Sequence, residues 1–145
     1  MGTIEQQFEE CLRKGGIKVF RDATKLTEKE LTIAASDLAE AKDGLQHQRW
    51  KWSTIQAYYS MFHAARALLY AKGYREKSHH CLRIGIAHLY YDAGKNFEDL
   101  IDIFQLAKRM RENADYADDF SENNSKKITQ AADAFLGFAK KIIAP

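Results

Sequence analysis

Proline is absent from this chain until its last residue, Pro145. Nothing therefore kinks or stops a helix by that route, and abundant alanine moves the expectation toward an all-α fold. Cysteine is scarce. Cys11 and Cys81 are two isolated thiols without metal-ligand spacing, which predicts a reduced, cytoplasmic protein with no disulfide and no metal. No apolar run approaches the ~20 residues of a membrane span, and no signal peptide opens the sequence. A net charge of +2 is too small to argue for nucleic acid by itself. There is no Gly-rich phosphate loop, no Gly-x-Ser-x-Gly elbow, no internal repeat and no low-complexity tract. No cofactor is implied.

What is present is helical patterning. At 145 residues, 46% hydrophobic and 29% charged, the chain suits one domain over 1–145 with a respectable core. The organising stretch is Ser53 to Gly73. Ile55, Tyr58, Phe62, Ala65 and Leu69 form one stripe at 3-4 spacing, and Ala57, Met61, Ala64 and Leu68 form a second beside it. A helix apolar around that much of its circumference belongs inside a bundle. A narrow third stripe of Tyr59, His63, Arg66 and Tyr70 is polar at its tips.

Around this centre, a short amphipathic helix carrying Ile4, Phe8, Cys11 and Leu12 ends at Gly15-Gly16, and Ile17 to Lys25 reads as a connection. Thr27-x-x-Glu30 reads as a capping box opening a helix to about Leu45. Gln46 to Trp52 reads as a link, with Trp50 and Trp52 over the bundle end. Ser78 is a candidate N-cap for a helix carrying Leu82, Ile86 and Leu89. Another helix starts near Asn96 and is broken by Ser121 to Ser125, and the last runs through Ile128, Phe135 and Ile142. The sum is an up-and-down bundle of four to five helices with a short extra N-terminal helix and no strands.

Three places could hold chemistry. The turn Tyr74 to His80 is locally basic, because Lys72, Arg75, Lys77 and Arg83 oppose only Glu76. If Ser78 caps a helix, free first-turn amides join Arg75, Lys77 and His79 in attracting phosphate. The plain alternative is a solvated loop. The Tyr59, His63, Arg66 stripe suits either a cleft or snorkelling side chains at a subunit surface. Arg111 and Asp115 are i,i+4 neighbours beside Tyr116, a pairing usually found at a surface. If catalysis exists, His79 or His80 with Arg75 is the candidate set, because histidine moves a proton while arginine holds phosphate.

The segment Ala57-Tyr58-Tyr59-Ser60-Met61-Phe62-His63-Ala64-Ala65-Arg66, then Gly73, Lys77-Ser78-His79 and Arg111-Glu112-Asn113-Ala114-Asp115-Tyr116, resembles the HEPN superfamily. It is most similar to that superfamily's small stand-alone prokaryotic branch, from about Thr27 to Ile142. The resemblance implies a helical homodimer, often paired with a minimal nucleotidyltransferase as a toxin–antitoxin module. Many such proteins are metal-independent RNases using an Arg and a His. Others bind nucleotide or act as scaffolds. Counting back from Tyr116, the nuclease Arg falls on Arg109, and its His position holds Ala114, which cannot carry a proton.

The resulting expectation is a non-enzymatic or weakly enzymatic dimer that binds nucleotide or RNA phosphate. Arg75, Lys77, Ser78, His79, Arg66 and Arg111 would make the anion contact. Tyr59, His63, Asp115 and Tyr116 would line the cleft or interface. The alternatives are a metal-independent RNase toxin and a purely structural interaction module.

Overall fold

A computed structural model describes residues 2–144. In chain order the elements are α1 (Ile4–Arg13), β1 (Ile17–Val19), a 3-10 turn (Arg21–Leu26), α2 (Thr27–Gln46), α3 (Trp50–Ala71) and β2 (Tyr74–Glu76). There follow α4 (His79–Leu89), a second 3-10 turn (Tyr91–Ala93), α5 (Lys95–Tyr116) and α6 (Glu122–Ile143). The fold is an all-α bundle with α3 at its centre, packed against α2, α6 and α5.

The two apolar stripes of α3 explain that position. Met61, Ala64, Ala65, Ala67, Leu68 and Leu69 are fully buried and meet Phe97, Phe104 and Phe135 from α5 and α6. Burying this many apolar side chains at about 25 cal/mol per Å² is the main force holding the helices together. Small residues set the closest contact. Ser53 and Ser60 are fully buried in α3, and their hydroxyls donate to the Ala41 and Ala34 carbonyls of α2 at 2.8 Å each. Gly73, at φ +83°, lets the chain leave α3 in a left-handed turn.

Several sequence expectations are corrected. The described residues include two short strands: β1 pairs antiparallel with β2, Lys18 opposite Arg75. Their three residues each are too few to show a period-2 pattern. The capping box is at Thr3–Gln6, not at Thr27. Leu26 occupies the N-cap of α2 with no side-chain bond, and Glu30 turns inward to partner α3 instead. The link before α3 is only His47–Arg49. Trp50 and Trp52 lie in the first turn of α3, and Trp52 is half exposed rather than packed over the bundle end. Ser121 caps α6, so the break after α5 lies at 117–121 rather than at Ser121 to Ser125.

Cys11 and Cys81 are disulfide-bonded, with their Cα atoms 5.9 Å apart, against the expectation of two free thiols. They stand 70 residues apart in the chain, and only the packing of α1 on α4 brings them together. Phe8, Ile17 and Ile84 complete a small second core around them.

Candidate functional site

Ser78 opens α4 as expected, its hydroxyl accepting the Cys81 amide at 3.1 Å. Helical spacing sets His79 and Arg83 on one face of α4. α5 offers Gln105, Lys108, Arg111 and Glu112 at matching 3-4 spacing. The His79 ring packs 4.6 Å from Phe104 and 5.9 Å from Tyr58. Burial, followed by the charges of Lys108 and Arg83, pushes the His79 imidazole down to about 4. It is therefore neutral at pH 7 and can donate or accept a hydrogen bond without carrying charge.

Four buried polar atoms in this region have no partner: His79 Nε2, Arg83 Nε, Gln105 Oε1 and Arg111 Nε. They are half of those found among the described residues. Buried polar atoms are ordinarily satisfied, so such a concentration is where a ligand's polar groups would be expected. Charge favours an anion here. Lys108 is matched by Glu112 at 3.2 Å, but Arg83 has no carboxylate partner among the described residues. Arg111 reaches Asp115 only at 3.8 Å. The Arg111 guanidinium lies 5.2 Å from the Tyr58 ring and 5.8 Å from both Tyr59 and Tyr116. Aromatic rings hold a guanidinium in place without neutralising it.

The third stripe of α3 has a different character. His63 Nδ1 is 2.5 Å from Glu30 Oε2, and its Nε2 is 4.0 Å from Asp37. Arg66 contacts Glu30 at 3.4 Å and Glu76 at 3.2 Å, and donates to the Tyr70 hydroxyl at 2.5 Å. Burial pushes the Glu76 carboxyl above its ordinary value, although Arg66 opposes the shift. Both His63 and Arg66 are thus already matched by carboxylates, and this cluster fastens α2, α3 and β2 together.

The hairpin forms a third surface. Arg75 and Lys77 are exposed, and Arg75 lies over the Phe20 ring at 5.3 Å. Contact with the Lys18 ammonium holds Lys77 below the usual lysine range. His80 is exposed and borders a cavity of about 180 Å³ beside the disulfide. Asp115 and Tyr116 sit exposed at the end of α5, while Ala114 is fully buried.

Of the residues singled out from sequence, the structure gathers His79, Arg111 and Tyr59 around Tyr58, with Tyr116 beside Arg111. Arg66 and His63 fall in the carboxylate cluster, and Arg75 and Lys77 on the hairpin. Phe62 bridges the first two groups, 6.2 Å from the Tyr58 ring and 5.4 Å from the Arg66 guanidinium. Sequence reasoning missed Glu30, Gln105 and Lys108, and used Arg83 only as part of a basic turn. The signal was available in Arg83 four residues after His79, and in the spacing of Lys108 and Arg111. Among the described residues, no three His, Cys, Asp or Glu side chains cluster as a metal site requires, and no helix is long and apolar enough to cross a membrane.

An all-α bundle carrying a half-buried basic and aromatic cluster defines a small helical module. The chain belongs to the HEPN family: the model described as HEPN domain matches residues 27–144. It is similar to the protein named "Putative toxin MJ0605" of Methanocaldococcus jannaschii, at 29% identity over 115 residues, covering 78% of this chain and 85% of that one. It is also 28% identical over 108 residues to a UPF0332 protein of Thermotoga maritima, covering 73% and 82%. A UPF0332 protein of Pyrococcus horikoshii is 40% identical over 58 residues, covering 40% and 41%.

Proposed function

We propose that this HEPN protein is a toxin-like module that binds RNA or nucleotide phosphate at the cluster of His79, Arg83, Lys108 and Arg111, with Arg75 and Lys77 extending the contact. The observation that carries this reading is the group of four unpartnered buried polar atoms beside two weakly matched guanidinium groups. A phosphate offers acceptor oxygens to the N–H groups of Arg83, Arg111 and His79, and such charge-assisted bonds are about twice as strong as neutral ones. The Gln105 Oε1 acceptor would instead take a hydroxyl or amino hydrogen of the ligand. The Ser78-capped end of α4 adds its free amides. Tyr59 and Tyr116, both exposed, present faces on which bases can stack.

The whole of 1–145 acts as one domain in this reading. It works in the cytoplasm as a homodimer alongside a nucleotidyltransferase partner. Trp52, Tyr59, Tyr116 and Phe120 are exposed aromatics of the kind that anchor protein interfaces. The similarity to a protein named as a toxin supports the toxin-like role.

Fluorescence anisotropy with a short labelled RNA and with ATP tests the site. Arg83→Gln combined with Arg111→Gln is expected to weaken binding at least tenfold, and Lys77→Ala with Arg75→Ala severalfold. His63→Ala should change it little. Equal affinity for the wild type and the double Arg variant overturns the assignment. RNase chemistry is the second reading, favoured by an unprotonated His79 beside arginines. It requires cleavage in EDTA that His79→Ala abolishes.

A further inference from the structure

The disulfide joins two parts of the chain of different standing. Cys11 lies in α1, outside residues 27–144 matched by the family, and Cys81 lies in the first turn of α4, inside them. Apart from this bond, α1 is lightly held. Of its ten residues only Phe8 and Cys11 are buried. Phe8 stacks on His88 at 4.5 Å and meets Tyr74 edge-on at 5.7 Å. A helix of this length is marginal in water when it has little to pack against. The strand that follows it, β1, adds a three-residue pairing with β2.

The bond is placed for exchange. The cavity of about 180 Å³ beside it is lined by Gln7, Glu10, Cys11, Lys14, His80 and Cys81, which gives an incoming thiol a way in. Lys14 on the cavity wall is already matched by Glu10 at 2.9 Å. Cys81 is the third residue of α4, where the helix N-terminus favours a thiolate, an advantage Cys11 near the far end of α1 lacks. Cys81 is therefore the better leaving group, so attack is directed at the Cys11 sulfur.

We propose that Cys11–Cys81 is a thiol–disulfide exchange site that acts as a redox latch on α1, opened by a dithiol reductant. A thiolate of the reductant attacks Cys11 Sγ, forming a mixed disulfide. The Cys11–Cys81 bond breaks, and Cys81 leaves as a thiolate that takes up a proton. The reductant's second thiol then attacks its own sulfur in the mixed disulfide, releases the Cys11 thiolate for protonation and becomes a disulfide itself. Two electrons pass from the dithiol to the protein. Opening the latch frees α1 from α4, and it loosens β1 from β2, the strand that carries Arg75. The bundle does not depend on the bond, because its core is built from α2 to α6 and takes no residue from α1.

The test is native thiol titration and hydrogen exchange on the oxidised protein, with and without dithiothreitol. Both cysteines are expected to become titratable within minutes without denaturant. Amides of 4–13 and 17–19 should then exchange at least tenfold faster, while those of 64–69 in α3 stay unchanged. The Cys11→Ser, Cys81→Ser double variant should match the reduced protein with or without reductant. A bond that resists dithiothreitol until the protein unfolds is a permanent staple and overturns the proposal. So does α1 exchange that is equally slow in both states, or a protein isolated under oxidising conditions with both thiols free.

Discussion

Arg66 Nε stands 3.2 Å from Glu76 Oε2, and that contact fastens the hairpin to the central helix. The Glu76 and Glu30 side chains are 7% and 9% exposed; Glu30 also meets His63, whereas among the described residues Arg66 is the one basic side chain paired with Glu76. Removing one partner of a buried pair leaves a charge that neither water nor protein stabilises. Arg66→Met is expected to cost about 3 kcal/mol in urea unfolding. Adding Glu76→Gln should recover at least about 1 kcal/mol, since the uncompensated charge goes with it. Strictly additive losses in this double-mutant cycle would mean that the two residues act independently.

Acid should weaken the fold through His79. An unfolded histidine takes a proton near pH 6.5, whereas the folded His79 refuses it until about pH 4. Between those values the unfolded state binds more protons, so stability falls as pH falls through the window. Burial raises the Asp37 and Glu76 carboxyls, which works in the opposite direction and partly masks the effect. The comparison is therefore wild type against His79→Gln. The stability advantage of the wild type is expected to shrink by about 1–2 kcal/mol from pH 7 to pH 4.5, after discounting for partial exposure. A constant difference across that range would mean that His79 protonates freely in the folded protein.

Helix periods, the Ser78 cap and the glycine stops at Gly15 and Gly73 could be read from the sequence because each is a local rule. The carboxylate cluster could not. Glu30 sits three residues after a threonine, the spacing of a capping box, and only the approach of α3 reveals that it faces His63 and Arg66. The disulfide was hidden for the same reason, since nothing near Cys11 points to a residue 70 positions away. The basic cluster was half legible. His79 and Arg111 stood out singly, but their meeting at Tyr58 depends on how α4 crosses α5.

Gly85 carries a prediction in which two effects compete. It lies inside α4, where glycine costs up to about 1 kcal/mol relative to alanine by propensity alone. A Cβ there would stand 2.9 Å from Leu69 Cδ1 and 3.1 Å from Ile17 Cδ1. Both atoms end flexible side chains, but both side chains are fully buried, so any shift must be made inside a packed interior. Overpacking of this kind costs about 1–3 kcal/mol, so sterics win. Gly85→Ala is expected to lower stability by about 1 kcal/mol or more in chemical denaturation. A stabilised variant would show that β1 yields easily to crowding.

Ala114 occupies the position where the RNase pattern would place histidine, and it is fully buried in α5. An imidazole there would need room that a packed interior does not offer, together with a partner for its N–H. Ala114→His is therefore expected to destabilise the protein by about 2–4 kcal/mol and to bring no metal-free RNA cleavage. The two measurements separate two ideas about this helix. If the variant folds as stably as the wild type, the helix can rotate to expose position 114. If it also cuts RNA in EDTA, then Arg109 or Arg111 is already placed for phosphate chemistry, and a single side chain separates a binding module from a nuclease. Loss of stability without cleavage means instead that this turn of α5 serves the core.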